Sequence, residues 1–134
     1  MSWDVSIQRL SQEYEKVEDI PQDEQCLPIG SIAEVQAAIA KYFPGTDWSD
    51  PTWGIYDSEI GSIEFNLGAE EPSNGFMMHI RAGVEVVAPL VGMCQAEEWQ
   101  AIDCSSGEFL ERSANPESSL EQWHAYRDQI VRGA

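Results

Sequence analysis

Ser62-Ile63-Glu64-Phe65-Asn66-Leu67 and Phe76-Met77-Met78-His79-Ile80-Arg81 are the stretches whose reading decides the fold. In each, large apolar side chains take alternate positions: Ile63, Phe65 and Leu67 in the first, Phe76, Met78 and Ile80 in the second. Neighbouring side chains of a strand point to opposite faces, so this period marks two strands with one face buried and one in water. The Gly68-to-Asn74 segment between them is turn chemistry. A segment from Thr52 to Asp57 precedes them, and a three-stranded antiparallel meander is the economical arrangement.

Working outward, Trp3, Val5 and Ile7 alternate with Asp4, Ser6 and Gln8, which predicts a short N-terminal strand. Ser11 to Gln25 is rich in acids and broken by Pro21; it reads as an exposed loop with room for one helical turn. Ser31 and Glu34 form a capping box, and Ile32, Val35, Ile39, Tyr42 and Phe43 follow on one helical face until Pro44-Gly45 stops them. Gly45 to Pro51 reads as a loop carrying Trp48. Val86 to Glu98 predicts a second helix with Val87, Leu90, Val91 and Cys94 inward and Pro89 tolerated in its first turn. Trp99 to Cys104 and Glu108 to Glu111, joined through Ser105-Ser106-Gly107, predict a hairpin. Ser118 and Glu121 repeat the capping-box spacing and open a helix to about Arg132, with Leu120, Trp123, Ile130 and Val131 inward. The predicted order is β-α-β-β-β-α-β-β-α. The fold class is α+β: one domain over residues 1–134, a mixed or mainly antiparallel sheet with helices packed on one face.

With 134 residues the chain has the size of a single domain with its own core, and five Trp, four Tyr and four Phe supply large apolar area for it. Cys26, Cys94 and Cys104 are odd in number and form no CxxC pair, so neither a disulfide framework nor a zinc knuckle is expected. No signal-peptide pattern opens the chain and no apolar run approaches the ~18 residues of a membrane span, which points to the cytoplasm.

Charge is the strongest compositional feature. Twenty-four acids against seven bases give a net charge of −17, and no Lys or Arg lies between Lys41 and Arg81 or between Arg81 and Arg112. Such a field opposes direct binding to nucleic acid or anionic lipid and favours a basic protein partner.

Signatures that need a fixed spacing are missing: there is no HExxH, EF-hand loop, GxSxG, GxxxxGK[ST] or GxGxxG. No catalytic residue, metal ligand or cofactor is therefore assigned. Two groups remain as candidates. Glu64, Asn66, His79 and Arg81 share one polar face if their strands pair, and that mixture suits a solvated surface, a binding face or proton transfer. Asp47, Trp48, Asp50, Trp53 and Asp57 combine carboxylates with aromatics, a pairing suited to gripping a cationic protein surface. The alternative for both is an ordinary wet sheet with Trp48 and Trp53 capping the core.

The segment from Trp99 to Phe109, with its W-x-x-x-D-x-x-x-G spacing of Trp99, Asp103 and Gly107, resembles small acidic bacterial proteins, some of them immunity proteins of toxin systems. The Ser62–Asn66 and Phe76–Arg81 strands are compatible with that group. The resemblance implies an accessory or toxin-neutralising role and transfers no functional residue. The leading expectation is a non-enzymatic domain that binds a basic partner. Its rivals are a DNA mimic that inhibits a DNA-binding protein and a small-molecule site on the Glu64/Asn66/His79/Arg81 face. A homodimer covering that face is also compatible with the sequence.

Overall fold

The computed structural model describes residues 2–133, with side chains as far as Gln129. Its six strands are β1 (Trp3–Gln8), β2 (Asp47–Asp50), β3 (Trp53–Ser58), β4 (Gly61–Asn66), β5 (Phe76–Ala82) and β6 (Gln100–Asp103). Its helices are α1 (Ile32–Tyr42), α2 (Val87–Glu97) and α3 (Ser118–Gly133), so the class is α+β. The strands form one sheet in the order β2-β3-β4-β5-β1-β6, and every ladder is antiparallel. Consecutive strands from β2 to β5 meander. β1 is inserted beside β5, and α2 carries the chain across to β6 on its far side.

Alternation places Trp3, Val5, Ile7, Ile63, Phe65, Phe76, Met78, Ile80 and Ala101 on one face, all buried. Three helices cover that face. Ser31 caps α1 as the sequence predicts: its hydroxyl accepts from the Glu34 N–H, and the Glu34 carboxylate accepts from the Ser31 N–H. Val35, Ala38 and Ile39 of α1 and Leu90, Met93 and Cys94 of α2 join the sheet in one core. Full burial of each larger aliphatic among them contributes about 1.5–3 kcal/mol. From α3 come Leu120, fully buried, and His124, whose Nε2–H donates to the Ala82 carbonyl at 2.8 Å. Met93 rather than half-buried Val91 completes the inner face of α2. The expected inward positions Ile130 and Val131 lie outside the residues whose side chains are described.

Two elements differ from the sequence reading. The Gly45-to-Pro51 loop contains an edge strand, β2, paired to β3 through Asp47–Ile55 and Asp50–Trp53 with a register shift between them. An edge strand pairs on one side only and so tolerates Asp and Ser, the residues that make this stretch look like a turn. The second strand expected at Glu108 to Glu111 does not form. One bridge, Ile102–Phe109, is followed by a 3-10 turn over Leu110–Arg112. The Glu111 carboxylate accepts from the Ala101 N–H at 3.1 Å, standing where a strand carbonyl would. In addition, Ser118 is already helical rather than the cap of α3.

The acidic segment after β1 is only partly exposed. Tyr14 is buried with Leu10 and Phe109, and Val17, Ile20 and Ile102 pack against them. Its single 3-10 turn spans Val17–Asp19. Ser11 N–H and Tyr14 O–H both donate to Glu24, at 2.7 Å each, and these bonds hold the Glu24 carboxyl below the usual range. Ile102 lies on the non-helical side of β6, so this segment covers the β6 end of the second sheet face and leaves the β2-to-β5 end open. Among the described residues no helix is long and apolar enough to cross a membrane.

Candidate functional site

The open sheet face is assembled by register. Glu64 pairs with His79, His79 with Asp4, and Ile55 with Glu64, so one row of side chains crosses β3, β4, β5 and β1. The next row holds Trp53, Asn66, Met77 and Ser6, and a third pairs Asp57 with Ser62 and Ser62 with Arg81. Glu64, Asn66, His79 and Arg81 therefore do share a face. Arg81 Nη1 donates to Glu64 Oε1 at 3.0 Å, and His79 Nδ1–H donates to Asp4 Oδ1 at 2.9 Å. Asn66 turns away from this pair of contacts, its Oδ1 accepting from the Gly68 N–H at 3.2 Å.

The two candidate groups meet at Trp53. Its ring stacks on that of His79, with centroids 5.9 Å apart and planes 20° from parallel. Asp47 and Asp50 pair with Ile55 and Trp53, so they stand on this face, as does Asp57. Asp47 accepts from Ser49 and Asp50 from Thr52, and these short-range bonds hold both carboxyls below their ordinary range. They remain ionised and exposed. Trp48 points the other way, half-buried against Phe65, where it packs over Gly54.

The chemistry this face can perform follows from its shape. Clefts of about 740, 670, 510 and 430 Å³ indent the molecule elsewhere, and none is walled by Glu64, Asn66, His79 or Arg81. The Arg81–Glu64 ion pair and the His79–Asp4 hydrogen bond are wet, with 24–40% of each side chain exposed, so each stabilises the fold by about 0–1 kcal/mol at most. A charged group in contact with bulk water gains little leverage on a bound substrate. Trp53 and Ile55 supply rigid and apolar area in the middle, Ile55 being 43% exposed. Carboxylates of Asp4, Asp47, Asp50, Asp57 and Glu64 surround them. Arg81 is the one Lys or Arg within any of the six strands, and Glu64 holds it. Among the described residues no three His, Cys, Asp or Glu side chains are grouped to share a metal ion.

Sequence reasoning missed Asp4 as the partner of His79 and did not foresee the Trp53–His79 stack. The alternation of Asp4 with Trp3 and Val5 signalled its face, but not which strand lay next to it. Comparison with protein-family models, curated proteins and solved structures returned no match.

Proposed function

We propose that the chain is a non-enzymatic binding domain that docks a basic protein on the open part of its sheet, in the manner of a toxin-neutralising immunity protein. The observation that carries this reading is the patch itself: Trp53 and Ile55 at its centre, five carboxylates around them, and one cation already paired, in a chain of net charge −17. Rigid aromatic and aliphatic groups anchor interfaces, because they bury much area while losing few rotamers. Surrounding carboxylates steer a cationic partner and exclude an anionic one.

The test is parallel capture from the native cell by the wild-type chain and by a Trp53→Ala/Ile55→Ser variant, with mass spectrometry and then binding measured against ionic strength. A basic protein retained by the wild type alone, with affinity falling steeply as salt rises, is expected. A captured partner held equally by the variant, or with an affinity indifferent to salt, refutes the proposal.

A further inference from the structure

Asp103 is the polar residue that the core side of the sheet does not account for. It ends β6, pairs with Val5 and is 1% exposed. Its Oδ1 is well supplied: Trp3 Nε1–H donates at 3.1 Å and the Ser105 N–H at 2.8 Å, with the Ser106 N–H more distant at 3.4 Å. Its Oδ2 is buried and has no hydrogen-bond partner. A buried carboxylate oxygen without a donor is costly, and few native groups are left so.

Asp103 forms part of the wall of a cleft of about 740 Å³ between the end of β6, the Ser105–Gly107 turn and the first turns of α3. Glu108, Ser119, Gln122, Trp123 and Tyr126 also line it, and no Lys, Arg or His does. Ser119 is fixed there by accepting from Trp3 Nε1 at 3.3 Å. Acceptors therefore outnumber fixed donors, two carboxylates lack a cation in the wall, and three aromatic rings are present, those of Phe109, Trp123 and Tyr126. Guanidinium and ammonium groups satisfy all three conditions, through charge-assisted hydrogen bonds to carboxylate and hydroxyl oxygens and through contact with ring faces.

We propose that this cleft is a binding site for an organic cation, a guanidinium or primary ammonium group, with Asp103 as its counter-charge. The site lies on the helical side of the sheet and stands independently of the docking face. Its occupant is either a small amine or a basic side chain of a partner, and one set of titrations separates them.

Butylguanidinium and butylammonium, with butylurea and butanol as neutral counterparts, are titrated into the ¹⁵N-labelled chain while the five indole N–H resonances are followed. Saturable shifts at Trp3 and Trp123 are expected from the cations, with Trp48 and Trp53 unmoved. Asp103→Asn should weaken the cation at least about tenfold, the loss typical of removing one charge-assisted partner. Should that variant not fold, the wild-type contrast between cation and neutral counterpart decides alone. A glycine-flanked, end-blocked arginine peptide binding tenfold tighter than butylguanidinium assigns the site to a partner's side chain, and the reverse order assigns it to a small amine. Equal shifts from butylurea, unsaturable shifts spread over the acidic surface, or unchanged affinity in a folded Asp103→Asn variant would overturn the proposal.

Discussion

Replacing Gly54 by alanine tests the packing that turns Trp48 away from the open face. The added methyl carbon would stand 2.5 Å from Cζ3, 2.6 Å from Cη2 and 2.9 Å from Cε3 of the Trp48 ring. Carbon atoms attract one another best at about 3.5–4.0 Å, so the ring must withdraw by roughly 1 Å. Gly54 itself is buried between its strand neighbours, and Trp48 packs on Phe65 with centroids 6.2 Å apart, so the movement loosens that contact. Overpacking of this kind costs about 1–3 kcal/mol. With a urea dependence of about 1–3 kcal/mol/M for a chain of this size, the midpoint of equilibrium unfolding should fall by about 1 M. Trp48→Leu removes the obstructing ring atoms. In that background Gly54→Ala should be nearly free, giving a coupling of at least about 1 kcal/mol in the double-mutant cycle. If Gly54→Ala is neutral alone, or costs the same in the Trp48→Leu background, Trp48 does not cover Gly54 and its assignment to the core side is wrong.

Ser31→Ala removes the hydroxyl that accepts from the Glu34 N–H while keeping the residue-31 N–H that donates to the Glu34 carboxylate, and should lower unfolding stability by about 1 kcal/mol in urea melts. Burial pushes the Glu111 carboxyl above the usual range, so the unfolded chain gives up this proton first and the native state loses stability as pH rises through the folded value. Glu111→Gln should therefore gain on the wild type as pH rises above the ordinary carboxylate range in thermal melts; a difference that is flat with pH removes the basis for this assignment. Alkylation followed by mass spectrometry should modify exposed Cys26 before Cys104, whose thiol is pushed up by partial burial and by Asp4 and Asp103. Cys94, buried and raised further by desolvation, should react only after unfolding.

Three strands and the first helix were legible because one local rule sufficed for each. Period two set the faces of Trp3–Ile7, Ile63–Leu67 and Phe76–Ile80, and the Ser31–Glu34 spacing set the start of α1. β2 was hidden because Asp47, Ser49, Asp50 and Pro51 are turn-forming residues, and only pairing with β3 makes the backbone extended. The Glu108–Glu111 strand was wrongly expected because consecutive Phe109 and Leu110 are both buried, which breaks the alternation of a strand, and because a side chain supplies the acceptor for Ala101. Parity placed Glu64, His79 and Arg81 together. It could not add Asp4 or the Trp53 stack, since neighbourhood between strands distant in the chain is decided by tertiary order. Asp103 did carry a signal: it shares the inward parity of Ala101, where a charged residue is out of place.

The position of β1 also governs how the molecule is made. Of the six strands it is synthesised first, yet its two neighbours are β5 and β6, at residues 76–82 and 100–103. Trp3, Val5 and Ile7 thus emerge from the ribosome long before anything exists to shelter them. Until translation has passed β6, this strand waits without its full set of partners while the β2–β5 meander can already close on itself. β1 can therefore join the free edge of β5 only once residue 82 has been made, and β6 adds last, along the outer edge of β1, so the sheet is completed by pairing the earliest strand with the two latest.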